Sequence, residues 1–373
     1  MSSFSQPDTE FAVPGVDVRA LARRAAVPAG LAAAAAVAIV VAGGPLHAFA
    51  HALRRALDAD PRWVIGGAVF ELLSFAGYVA LFWLVGSRAT ARLGLRESTQ
   101  VTLGGAAATR LLPTAGVGGA AMTLWALRRA GLGSRGATRT LLGFLIVLYS
   151  VFLAAIAASG GLIALGLAHA DGPLALSAIP AGAATLAIIA ALALGARRPK
   201  TAPRRAARLY AAADVFGEAI RDAIVHVRSA DLRLLGALAW WTFDAAVLWA
   251  MLHAFGAPPP FAVVVLAYFV GQVGNTIPIP GAVSGGIVGV LVAFAVPADL
   301  ALVSVLAYRA IAIWLPAPIG LVALGALRRT MARWTAEDAA VEVVAGDAAP
   351  VAPAHAPVAR APRPCPEHAL LAA

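Results

Sequence analysis

Four ionisable side chains, Glu71, Arg110, Asp244 and Arg309, fall inside long apolar runs of a 373-residue chain. At 1.5 Å per helical residue, Glu71 stands roughly 12 Å, Arg110 and Asp244 roughly 18 Å, and Arg309 roughly 15 Å from the point where the chain enters its run. Facing lipid, each would cost about 2.5–3.5 kcal/mol, so all four must face a protein interior or a wet cavity. Two chemistries fit two acids and two arginines at that depth. The pairs can neutralise each other, or the arginines can hold an anionic group while the acids position them or carry protons.

Two glycine-rich breaks lie close to these residues. The first is Leu112-Pro113-Thr114-Ala115-Gly116-Val117-Gly118-Gly119, three residues beyond Arg110 at its proline; the second runs from Asn275-Thr276-Ile277-Pro278-Ile279-Pro280-Gly281 to Ser284-Gly285-Gly286. A helix restarting at either break points its N–H groups and positive dipole end at whatever lies before it, and glycine lets a phosphate approach the backbone. Arg110 with the first break is an anion site in outline, and Gln272, Asn275, Thr276 and Ser284 give the second a polar lining. The G-x-x-x-G spacing of Gly281, Gly285 and Gly289 also suits close helix packing, and both uses stand open. Other patterns carry less. Gly116-Val117-Gly118 with Ala121 has no strand before it, so no dinucleotide site is expected. His47 and His51 have no acidic partner motif and read as part of an interfacial helix. The lone Cys365 supports neither a disulfide framework nor a cysteine metal site. No nucleophile–base pair or phosphate-binding loop is visible, so the expectation is a non-enzyme without metal or cofactor.

The elements that hold these groups follow from composition. Hydrophobic residues make up 61%, charged residues only 13%, and mean hydropathy is +0.82, which excludes soluble, disulfide-built and disordered classes for most of the chain. The net charge of +10 comes from arginines clustered at the ends of apolar runs. That pattern sets topology and argues against nucleic acid as a partner. Arg19, Arg23 and Arg24 place a segment 1–24 in the cytoplasm before a first span at 25–44, although Ala48-Phe49-Ala50 also allows a cleaved leader. An amphipathic helix is expected at 45–62. Further spans are expected at Trp63–Gly86, Thr140–Leu167, Leu174–Gly195, Leu232–Phe255 and Leu300–Leu327. The broken runs Ser98–Leu127 and Phe261–Phe294 are each flanked alike on both sides, so they read as re-entrant hairpins whose half-helices are too short to span. A cytoplasmic amphipathic helix is expected at about 203–230, with Leu209, Val215, Phe216, Ala219, Ile220 and Ala223 on its apolar face. An Ala/Pro-rich tail, 335–373, is expected to be disordered.

The fold class is therefore an all-α integral membrane protein of about six transmembrane helices and two re-entrant hairpins. Repeat one, 63–167, and repeat two, 232–327, have opposite orientation, with Gly116 matching Gly281. Paired broken helices in inverted halves point to a transporter's binding site near the bilayer midplane. In the competing reading, Pro and Gly merely kink ordinary spans, and the arginine clusters then no longer share one face.

The first break, followed by Leu127-Arg128-Arg129-Ala130-Gly131, resembles the membrane domain of lysylphosphatidylglycerol synthases and related flippase-like membrane proteins. The second break through Gly285-Gly286, with Tyr308-Arg309-Ala310 in the last span, carries the same resemblance, which covers about residues 25–330. It implies a multi-pass protein of the bacterial plasma membrane, with both termini cytoplasmic, that moves a phospholipid headgroup between leaflets. Members often carry an acid where this chain has Ser284, which puts that acid's role in doubt here. No soluble aminoacyl-transfer domain is expected, so lysyl-lipid synthesis is not implied. The functional expectation is a flippase or transporter of a phospholipid, or of a lipid-linked substrate, whose anionic headgroup meets Arg110, Arg309, Glu71, Asp244, Gly116, Gly118, Gly119, Asn275, Gly281, Ser284, Gly285 and Gly286. The alternatives are a small-anion or proton-coupled carrier, and a non-transporting scaffold that recruits a lipid-modifying enzyme.

Overall fold

The structure, a computed structural model, describes residues 59–111, 117–196, 207–276, 279 and 281–347; among them it is helical throughout, without a strand. The helices are α1 (Pro61–Ala89), α2 (Leu95–Leu111), α3 (Val117–Arg129), α4 (Ser134–Ala164), α5 (Leu174–Ala196) and α6 (Ala207–Arg228), followed by α7 (Leu235–Phe255), α8 (Phe261–Val273), α9 (Ala282–Ala293), α10 (Ala298–Trp314) and α11 (Pro316–Asp347). Five stretches are long and apolar enough to cross a bilayer: Pro61–Ala89, Ser134–Ala164, Leu174–Ala196, Leu232–Phe255 and Ala298–Ala340. They coincide with expected spans two to six. The expected span at 25–44, and residues 45–58 of the amphipathic segment, lie outside the described residues.

Helices α1 and α7 form the central axis. Asp60 caps α1 by accepting from the Arg62 N–H at 2.9 Å, and Pro61 opens the helix where a missing N–H costs nothing. The two helices run antiparallel along their whole length. The Asp60 N–H donates to Ala254 O at 3.1 Å, Ser74 Oγ donates to Trp240 O at 2.9 Å, and Gly77 lies against Gly236 and Ala239. Lipid tails are as apolar as leucine, so such helices associate through close packing and interhelical hydrogen bonds. Glycine at the crossing is what permits the approach: a Cβ on Gly77 would stand 2.8 Å from Gly236 O, and one on Gly236 would strike the Gly77 carbonyl.

Each broken run folds as an antiparallel helix pair. In the first, Gly105 of α2 faces Gly119 of α3; in the second, Gly271 of α8 faces Ile287 and Gly286 of α9. Their open ends lie at opposite ends of the bundle. The ends of α2 and α3 meet the foot of α1, where Thr90 Oγ1 donates to Ala130 O at 3.2 Å. That end is basic. There Arg88 donates to Ser229 at 3.0 Å, Arg135 pairs with Glu218 at 2.7 Å, Arg139 pairs with Asp222, and Arg221 donates to Gly195 O at 3.2 Å. The open end of α8–α9 lies with the other set of connections, where Gly256 packs on Leu300 and Gly172 on Phe294.

Three expectations are corrected. The last span is not continuous: Pro316 cannot donate to the helical ladder and crowds the turn before it, so α10 ends at Trp314 and α11 begins at Pro316. The described residues from Ala332 onward belong to a second unit, in which α11 runs past Thr335 to Asp347. Ala336, Glu337, Ala339, Ala340 and Glu342 are strong helix formers, so the expected disordered tail is displaced that far; residues 348–373 lie outside the described residues. Helix α6 buries Ala219, Ile220 and Ala223 as expected, but Phe216 is exposed.

The axis gives a direct test. Gly236→Ala is expected to lower stability by about 1–3 kcal/mol through overpacking against the α1 backbone. Gly66→Ala, where an added Cβ meets nothing within 4 Å, should leave thermal unfolding in detergent unchanged.

Candidate functional site

The centre of the α1–α7 axis holds the two deepest acids. Glu71 is fully buried and Asp244 is 3% exposed. With Ser74 against Trp240 and Gly67 against Val247, the antiparallel register puts Glu71 and Asp244 at one level.

Asp244 is held by hydroxyl and amide donors. Tyr268 on α8 donates its O–H to Asp244 Oδ2, Tyr308 on α10 does so at 3.2 Å, and the Gln272 amide approaches the same oxygen at 3.5 Å. Gln272 also donates to the Tyr308 oxygen at 3.0 Å, so the three donors form one network. Asp244 Oδ1 is buried and has no hydrogen-bond partner among the described residues. No arginine among the described residues pairs with Asp244, and Arg309, half-buried on α10 beside Tyr308, makes no ion pair among them. Mutual neutralisation of Asp244 and Arg309 is therefore not what the structure contains.

The second break places its polar residues together. Gly281 adopts a left-handed conformation, φ 84°, and begins α9; Asn275 and Thr276 are exposed, and Ser284 is half-buried in the first turn. Added Cβ atoms on Gly281, Gly285 and Gly289 would meet nothing within 4 Å, whereas one on Gly286 would meet Gly271 at 3.0 Å. The G-x-x-x-G row thus faces open space, and Gly286 makes the helix contact. At the first break, Gly119 closes α2 against α3 through Gly105 and Thr109, so it is a packing position. Gly118 lies half-buried in the first turn of α3. Gly116 and the Arg110 side chain lie outside the described residues.

Beside this centre, a cleft of about 410 Å³ runs between α1, α2 and the α10–α11 break. Leu72, Phe75, Val79, Leu103, Leu315 and Ile319 are among its walls; Glu71 stands at one end and Trp83 at the other. A smaller hollow of about 240 Å³ at the basic end is lined by Arg88, Arg139, Asp222 and His226. Burial and the neighbouring Arg88 push the His226 imidazole below its usual range, and hydrogen bonds from Arg233 hold the Asp231 carboxyl down to about 2.

Sequence reasoning missed Tyr268 and the task of Tyr308. The available signal was spacing: Tyr268 and Gln272 are four apart on one face of α8.

A family profile described as lysylphosphatidylglycerol synthase TM region matches residues 26–320. The chain belongs to this family. It is thus a member of a membrane-domain family, and its apolar helices make it a multi-pass membrane protein. No curated protein matches it.

Tyr308→Phe tests the network. The change removes one donor to Asp244 and the acceptor for Gln272, and is expected to cost about 1–3 kcal/mol in unfolding experiments. Tyr149→Phe, at a side chain 46% exposed, serves as the neutral control.

Proposed function

We propose that the protein is a lipid flippase or transporter, non-catalytic, that carries an anionic phospholipid headgroup through the centre of the bundle while the acyl chains stay in lateral contact with the bilayer. The observation that carries this reading is the cleft beside Glu71. A lipid needs a lateral opening and a small solute does not, and this cleft has apolar walls from the middle of α1 to its basic end. From Glu71 to Trp83 the helix rises roughly 18 Å, against roughly 15 Å for half the hydrocarbon core, which suits one leaflet's acyl chains. The phosphate would be met by Arg309, Arg110 and the two glycine breaks, with Gly281 and Gly285 open to its approach. The two helix pairs, opening at opposite ends, would act as inverted re-entrant hairpins, one facing each leaflet in turn.

The same geometry fits a bacterial inner-membrane protein with its basic end, N-terminus and C-terminus in the cytoplasm. A cysteine at Gly133 and one at Ala298, both exposed positions, should then label from opposite faces of right-side-out vesicles. Labelling from one face would remove the inverted arrangement.

The decisive experiment is reconstitution in vesicles with labelled lipids of different headgroups, scoring exchange between leaflets. Anionic lipids are expected to exchange faster than in protein-free vesicles. Ala76→Trp, placed at an exposed position on the cleft wall, should slow exchange several-fold and leave the unfolding temperature near that of the parent. Exchange unaffected by that block would send the lipid elsewhere. A scaffold for a lipid-modifying enzyme predicts no exchange at all.

A further inference from the structure

We propose that Asp244 is a proton-binding site whose occupancy sets how tightly α8 and α10 are held to α7. The site rests on geometry alone, and its use in coupling rests on the transport reading above. The carboxylate lies mid-helix and 3% exposed, with all three donors on Oδ2 and none among the described residues on Oδ1. A buried ion so placed leaves the lone pairs of Oδ1 without a donor in a region of low dielectric. A metal cation of the calcium or magnesium kind would need several oxygen ligands, and no group of three acids, histidines or cysteines occurs among the described residues. Tyr268, Tyr308 and Gln272 all present hydrogens to the carboxylate. A proton is the cation that needs only one oxygen.

The step balances simply. A hydronium ion transfers its proton to the Oδ1 lone pair, a new O–H bond forms, one water is left, and the carboxylate becomes a neutral carboxyl; release is the reverse. No donor on Oδ2 has to leave. What changes is strength, because hydrogen bonds to an ionised acceptor are roughly twice as strong as neutral ones. The charged form therefore fastens Tyr268 and Gln272 of α8, and Tyr308 of α10, to α7, and the protonated form loosens them. Gln272 is half-buried and leads from the acid to Asn275 and Thr276, which are exposed at the break, so the polar route to water runs along the hairpin that the site controls.

The other charged or titratable groups on the elements packed around Asp244 are few. Glu71 on α1 stands at its level, and Arg309 on α10 follows Tyr308 without an ion pair to Asp244 among the described residues. Tyr149 on α4 reaches only Trp241, 5.9 Å between ring centres, and Tyr268 and Tyr308 are the donors already named.

The test uses the full chain in vesicles. Infrared difference spectra between acid and alkaline buffer should show a protonated-carboxyl band that disappears in Asp244→Asn. Tyr268→Phe keeps the carboxyl but removes one hydrogen bond to its Oδ2, so the band should persist and move to higher frequency, which keeps the proposal falsifiable if Asp244→Asn fails to fold. Exchange of a labelled anionic lipid should accelerate several-fold under an imposed pH gradient in the parent and show no gradient response in Asp244→Asn. Three results overturn the proposal: no band dependent on Asp244, a gradient response that survives Asp244→Asn, or acceleration by a sodium gradient in place of a proton gradient. A band that behaves as expected, together with no exchange of any lipid, supports the site and overturns the transport reading.

Discussion

An antiparallel pair of helices with an acid in each, at one level, is the constraint around which the rest is arranged. Glycines at 77 and 236 bring the backbones of α1 and α7 into contact, and Gly67 packs against the side chains of Met251 and Val247. Glu71 and Asp244 are then enclosed by construction. A carboxylate enclosed in this way must be given donors or be neutralised, and its donors can come only from elements that pack on the axis. Hence α8 and α10 are tied to α7 through side-chain hydrogen bonds to the Asp244 carboxylate.

The broken runs pose a second polar problem. A helix that ends inside an apolar bundle leaves N–H and C=O groups without helical partners, and they must be satisfied within the protein or beside a cavity. Antiparallel pairing solves half of this problem, because each leg covers the other through small residues: Gly105 against Gly119, and Gly271 against Gly286. Packing of Gly320 on Leu103 and Ala107, and of Leu324 on Gly104, covers the outer side of α2, and Thr330 donates to Gln100 at 2.8 Å nearby. The stop at Pro316 then opens a gap in this cover where Leu315, Pro316 and Ile319 line the lateral cleft.

Much of this was legible in the sequence because membrane physics writes itself in one dimension. Arginine clusters marked the basic end, and Arg88, Arg135, Arg139 and Arg221 all gather there. Proline and glycine marked the breaks. What the sequence could not convey was register between distant helices. That Ser74 meets Trp240, and therefore that Glu71 stands level with Asp244, depends on packing between segments 166 residues apart. The donors to Asp244 were hidden for the same reason: Tyr268 reads as one more aromatic in an apolar helix until α8 is laid against α7. Arginine was one partner the sequence offered, because opposite charges suggest each other, yet tyrosine hydroxyls satisfy an acid without bringing a second charge out of water.

That choice of partner bears on mechanism. A buried carboxylate paired with arginine is locked in its charged form, since protonating it would strand the guanidinium. A carboxylate held by neutral hydroxyls and an amide can gain or lose a proton with its neighbours in place, changing the strength of the bonds and not their number. Such a site can alternate between a tight and a loose state without unfolding anything around it. Adjacent positions on α10 thus differ in partner: Tyr308 donates to the acid of the axis, and Arg309 beside it makes no ion pair among the described residues.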